Sequence, residues 1–313
     1  MFEVFTASLS PMLVMFLCII IGFLLNKAKL CPANTSIVLS RLETYVFCPA
    51  LNLITFGQHC TPESLSENYD LLLFAALATV IAIALAYLLA PLFTDKGYTR
   101  NVYKYALAFA NCGFMGNAIV PAILGSDALY SYMLFTLPLV FAIYTWGLAI
   151  LIPKQSGKQN PLKNLLNPSM IAVAVGMLLG LSGIHSHLPE FVTSTLSSLS
   201  GCMGPVAMIL TGFVIGNYSL KAMVTDKNVY IASGLRLFIL PAVYMGIFML
   251  LGASPLVLTM GLFAFATPLG LNTVIFPAAY GGDTAPGAAM ATVSNALGVV
   301  TLPVMYALLT LLI

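Results

Sequence analysis

The chain has 313 residues, of which 60% are hydrophobic and 7% charged, with a formal net charge of +2. A soluble protein carries roughly a quarter charged residues, so this composition, with a mean hydropathy of +1.00, excludes an ordinary soluble enzyme or a nucleic-acid binder. It predicts an all-α polytopic membrane protein, with room for about ten spans of roughly 20 residues each.

The first residues, MFEVFTASLS, hold Glu3 and no Lys or Arg. A cleaved signal peptide needs a basic start, so the first apolar segment is expected to remain as a span. Ten helices are predicted near 5–26, 36–57, 70–93, 102–124, 130–152, 167–185, 194–217, 228–252, 254–281 and 285–312. Runs such as Leu71-Leu72-Leu73-Phe74-Ala75-Ala76 do not alternate, which argues against the period-two strands of a membrane barrel. Pro49 and Pro205 fall inside the second and seventh segments, where a kink is expected.

The basic residues set the orientation. With the N-terminus outside, all twelve Lys and Arg residues fall on cytoplasmic connections or just inside adjoining helix ends. These are Lys27, Lys29, Arg41, Lys96, Arg100, Lys104, Lys154, Lys158, Lys163, Lys221, Lys227 and Arg236, while Glu63, Glu67, Asp70 and Glu190 fall outside. The positive-inside rule then places both termini outside the cytoplasm of a cell membrane.

An internal repeat is also legible. Pro11 and Pro168, and Pro32 and Pro189, stand 157 residues apart. Pro49 and Pro205, Pro121 and Pro277, Gly125 and Gly281, and Asp127 and Asp283 stand 156 apart. Five spans per half is an odd number, so the halves are expected to be inverted. They comprise a first repeat over 1–152, a cytoplasmic linker over 153–166 and a second repeat over 167–313.

Two segments carry polar interruptions in matching places: Ala110-Asn111-Cys112-Gly113-Phe114-Met115-Gly116-Asn117 and Ala266-Thr267-Pro268-Leu269-Gly270-Leu271-Asn272-Thr273. Irregular backbone at membrane depth is tolerated only where protein buries it or it lines a cavity. Register-matched breaks in inverted halves point to a solute site near the midplane. The Asn and Thr residues are expected to cap the helix halves that resume, and the restarting N-termini favour an anion. The candidate substrate-binding residues are Asn111, Cys112, Gly113, Asn117, Thr267, Pro268, Asn272 and Thr273. Tyr144, Thr145, Ser294, Asn295 and Thr301 are candidates either for lining the cavity or for bonding between helices.

The run NCGFMGNAIVPAILG followed by Asp127, the run ATPLGLNTVIFPAAYGGD, Asn167-Pro168, and Gly204-Pro205 with Gly212 together resemble the auxin efflux carrier family, over essentially the whole chain. That family sits within the bile/arsenite/riboflavin transporter-like superfamily. The resemblance implies ten helices in an inverted five-helix repeat, with helices 1, 2, 6 and 7 forming a scaffold that often dimerises. Helices 3–5 and 8–10 would form a mobile core in which broken helices 4 and 9 cross at the substrate. It also implies a small carboxylate as substrate and elevator-type alternating access. The long hydrophilic loop of plant members is missing here, which resembles compact bacterial members.

Other residues read more plainly. The six cysteines form no metal-ligand pattern, so no metal, no cofactor and no catalytic residue is expected; coupling to H+ or Na+ stays open. Arg41, Glu43 and Arg236 read as side chains reaching the interface rather than as gating or substrate contacts, His185 and His187 as solvated rather than proton carriers, and Asp127 and Asp283 as helix-end signals rather than ligands. Three rivals are an intramembrane aspartyl protease built on Asp70 and Asp283, weakened because Tyr280 replaces a glycine it needs, a sodium-coupled organic-anion symporter of the bile-acid type, and a membrane sensor or passive channel, which would not support counterflow.

Overall fold

The computed structural model describes residues 2–32, 34–95, 97–153, 164–279 and 281–313. Lys96, Lys154, Lys158, Lys163 and Tyr280, and most of the expected linker, lie outside the described residues. Among the described residues the chain is all helix and turn, without a strand. Eight helices are long and apolar enough to cross a membrane: α1 (Phe2–Lys27), α2 (Thr35–His59), α3 (Tyr69–Leu92), α4 (Gly97–Leu124), α5 (Ala128–Leu151), α7 (Glu190–Ile215), α8 (Lys227–Leu250) and α10 (Ala285–Leu309). Two apolar helices are shorter, α6 (Pro168–Leu181) and α9a (Pro255–Ala266), the latter followed by α9b (Asn272–Ala279).

The expected ten segments therefore correspond to eight full-length helices and two short ones. At 1.5 Å per residue, the 14 residues of α6 and the 12 of α9a each fall short of the roughly 30 Å of a hydrocarbon core. α6 stops because Gly183 turns the chain with φ 71° into the 3-10 turn Ile184–His187, a conformation that favours glycine. α9a stops because Thr267 precedes Pro268 and is extended, with ψ 148°, as the residue before proline prefers.

Among the described residues, four helices carry a π turn, a one-residue widening: Glu43–Phe47 in α2, Cys112–Gly116 in α4, Ile143–Gly147 in α5 and Leu235–Ile239 in α8. In α2 and α8 it lies just before Pro49 and Pro241. The amides of Cys48 and Leu240 reach back five residues, to the carbonyls of Glu43 and Leu235. A proline would otherwise clash with the carbonyl four residues earlier, and the wider turn redirects that part of the ladder. Such turns gather at functional places in helices.

Packing divides the helices. α1 lies along α7, and α2 along α6 and α7. The α1–α7 contact is backbone-close: Gly22 sits against the Ile209 carbonyl and Gly212 against that of Ile19, leaving no space for a Cβ. Small residues of this kind let membrane helices approach. α3 packs on α5 and the first part of α4, while α8 packs on α9a and α10.

Candidate functional site

In α4, regular helix ends at Ala108, Asn111 leaves helical geometry with φ −80° and ψ 49°, and the chain resumes through the π turn before Asn117–Leu124. In α9, residues 267–271 interrupt the helix. Each resumed half is eight residues long with a proline inside, Pro121 and Pro277. Each is followed by a glycine at positive φ, Gly125 at 91° and Gly281 at 71°.

The two breaks meet. The Asn111 backbone N–H donates to the Pro268 carbonyl at 2.8 Å, a bond between backbones 157 residues apart. Gly270 sits under the Asn111 side chain, where an added Cβ would come within 3.0 Å of its amide carbon and oxygen.

Neighbouring helices satisfy the backbone that the breaks release. Tyr132 of α5 donates to the Cys112 carbonyl at 2.9 Å, and only a glycine at 116 leaves space for that hydroxyl. On α10, Ser294 Oγ accepts from the Leu269 N–H at 3.0 Å, and Asn295 Nδ2 donates to the Leu269 carbonyl at 3.2 Å. Ser294 and Asn295 thus brace the second break. Thr301 is buried and its hydroxyl has no partner. Thr145 bonds back to the Phe141 carbonyl of its own helix.

A cavity of about 100 Å³ lies between this crossing and α2 and α6. The first break lines it with Asn111, Cys112, Gly113 and Asn117, the second with Asn272, and α5 adds Thr136 and Tyr144. Its far wall holds Cys48 and Asn52 of α2 with Ser169 and Val173 of α6. Asn52 donates to Ser169 Oγ at 2.8 Å, tying α2 to α6. Thr267, Pro268, Thr273, Thr145, Ser294, Asn295 and Thr301 are not part of its lining; Thr267 and Thr273 are buried in the protein behind the crossing.

The amide side chains do not cap. Asn111 and Gly116, the residues before the two resumed stretches of α4, make no side-chain capping bond. Asn117 Oδ1 is buried without a partner. Asn272 instead donates from Nδ2 to the Tyr105 hydroxyl at 2.8 Å. The amides of Asn117 and Asn272 thus face a cavity or another helix rather than a helix end.

Charged residues also depart from expectation. Arg41 is exposed, but Glu43 and Arg236 are 1% and 2% exposed, and neither the Glu43 oxygens nor the Arg236 nitrogens have a hydrogen-bond partner. Both stand on π turns, which face the bundle. Neither reaches the interface, and residue type and depth alone cannot reveal that direction.

At the helix ends, Asp70 accepts from the Leu71 N–H and faces Ser254, while Asp283 accepts from the Ala285 N–H. Asp127 makes no capping bond. His187 is exposed. His185 is instead half-buried against Gly57, and burial, with His59 nearby, pushes its pKa below the ordinary value.

Eight long apolar helices among the described residues, with a cavity beside the broken ones whose largely apolar wall carries a few amide and hydroxyl groups, and the family match define a multi-pass membrane protein of the transporter class. The family model described as Membrane transport protein matches residues 7–306, and the chain belongs to that family, which is of the auxin efflux carrier type. No curated relative matches the chain.

Proposed function

We propose that the protein is a secondary transporter that moves a small organic carboxylate by elevator-type alternating access. The observation that carries this reading is the contact of the two breaks, Asn111 N–H to Pro268 carbonyl, beside a cavity that both line. The cavity wall holds amides, a tyrosine and a threonine but no charged side chain, and a carboxylate accepts hydrogen bonds from such donors.

The fold reading beneath it is ten spans in two inverted halves, with α6 and α9 as the short members. The equivalent glycines Gly125 and Gly281, both at positive φ after a proline-containing half-helix, support it. We assign α1, α2, α6 and α7 to the scaffold, which would also carry any dimer contact, and the remaining helices to the moving core. The cavity lies on the boundary between these groups, where alternating access needs it. Asn117 also lines a groove of about 330 Å³ with Met15, Leu51 and Gly204, a second path to the same amide. Both termini are placed outside the cytoplasm.

Counterflow in proteoliposomes tests the reading, with a labelled carboxylate preloaded outside and unlabelled carboxylate within. Asn111→Ala and Asn272→Ala are each expected to slow exchange about tenfold, the loss of roughly one hydrogen bond to a charged group, at unchanged expression, with a small fall in melting temperature for Asn272→Ala, which also loses its bond to Tyr105. Wild-type exchange in both variants would remove the site assignment. Replacing sodium by choline separates the symporter rival, which stops while a sodium-independent carrier continues.

A further inference from the structure

Arg236 is the one buried cation among the described residues, and the mechanism above does not use it. A guanidinium stays charged at neutral pH and offers five donors. Here the side chain is 2% exposed, with Nε and both terminal nitrogens unbonded. A charge at membrane depth is expensive, faces the bundle interior and marks an ion pathway by default. The buried Glu43 does not pair with it: its π turn packs on α7 and α6 and leads into Cys48 on the far wall of the cavity, whereas that of Arg236 packs on α4, α9a and α10.

The surroundings of Arg236 lead to the crossing. It shares one small gap with Ala106 and Leu107 of α4 and with Leu269 of the second break. Cys112 lines the cavity, and Tyr105 accepts the hydrogen bond from Asn272, which lines it too. Ala106 adjoins Tyr105, and Leu269 lies between Pro268 and Gly270, which both meet Asn111. The positive charge therefore lies on the side of the crossing away from the cavity. The gap that Arg236 shares with Ser233, Leu269 and Ser294 measures about 10 Å³. That is the space of a single water, so a carboxylate does not fit beside the guanidinium.

We propose that Arg236 is the fixed positive charge that makes the cavity prefer anions, acting through the wall rather than by touching the ligand. The proposal rests on the carboxylate reading above and supplies the net charge that the cavity lining lacks. Charges interact more strongly and over longer distances where water is excluded, so a buried cation biases a neighbouring uncharged cavity toward anions. The effect is mutual: an anion in the cavity relieves the uncompensated guanidinium. Arg236 is therefore a positioning residue for charge.

The test is a thermal-shift titration of the full-length protein in detergent with matched pairs: malonate and malonamide, benzoate and benzamide, indole-3-acetate and indole-3-acetamide. In the wild type, at least one carboxylate is expected to stabilise the protein more than its amide. Arg236→Gln should weaken that carboxylate about tenfold, within the range by which a focused field concentrates counter-ions, and leave the amide unmoved. Arg236→Lys, which keeps the charge, should retain the preference. Ser233→Asp places a carboxylate on the same helix face and in the same gap, cancelling the charge without removing the arginine. It should show the loss even where Arg236→Gln fails to fold.

An unchanged carboxylate preference in Arg236→Gln or Ser233→Asp overturns the proposal and leaves the carboxylate reading standing. A loss in Arg236→Lys as large as in Arg236→Gln overturns it as well, since fork geometry rather than charge would then matter. If no carboxylate stabilises the wild type above its amide, the carboxylate reading itself fails, and the role of Arg236 fails with it.

Discussion

The two breaks occupy matching places in the chain and are held differently. In α4 a π turn carries the chain across the interruption, a single tyrosine hydroxyl braces it, and its side chains Asn111, Cys112 and Asn117 face the cavity. In α9 a proline ends the helix, Ser294 and Asn295 of α10 brace the freed backbone, and Thr267 and Thr273 are buried away from the cavity, leaving Asn272 to reach it. The difference separates two tasks that a symmetric description merges. The α4 break supplies far more of the cavity lining than the α9 break, which contributes Asn272 and is held by α10 as the support against which the first is set.

Ser294→Ala bears most strongly on this division of tasks. It leaves the buried Leu269 N–H without its acceptor, which costs about 1–3 kcal/mol, so the melting temperature should fall. Asn117→Ala should instead leave the melting temperature in place and weaken ligand stabilisation. A reversed outcome, with binding lost in the α10 variant and stability lost in the α4 one, would invert the division of tasks.

A smaller effect is expected for Tyr132→Phe, which removes one hydrogen bond to the Cys112 carbonyl, worth about 0.5–1.5 kcal/mol net. Thermal unfolding in detergent measures it. If the loss exceeds that of Ser294→Ala, the α4 break is the more dependent on its brace.

The smallest effect concerns pH and a region remote from both breaks. His185 has a folded-state pKa below its ordinary value because it is partly buried and near His59. The unfolded chain then binds the proton more readily, so stability is complete above about pH 6.5 and falls as pH drops toward the depressed value. His185→Gln should flatten that part of the stability-against-pH curve by a fraction of a kcal/mol, while the ligand-dependent shift of the wild type stays the same. A ligand response that changes in this variant would tie the His59 end of α2 to the crossing.

Much of the architecture was legible because its signals are local. Gly and Pro at membrane depth, Asn inside apolar runs and the paired prolines marked the interruptions, and the helix limits lie within a few residues of expectation for most segments. What escaped is set by packing across the chain. No pattern shows that the Asn111 amide meets Pro268, since that pairing spans 157 residues. Nor does one show that Ser294 and Asn295 point to Leu269. The π turns were invisible because one extra residue in a helix leaves no compositional trace. They also rotate Glu43 and Arg236, so depth along the helix suggested anchoring where the structure has burial.

The bond that joins the breaks is made by main chain on both sides. Its donor is an amide that every residue except proline possesses, so changing the side chain at 111 leaves the weld in place, and only Asn111→Pro erases the donor. Position 111 can therefore be varied widely to read out ligand chemistry while the two halves stay coupled. Proline there becomes a separate instrument, one that uncouples α4 from α9.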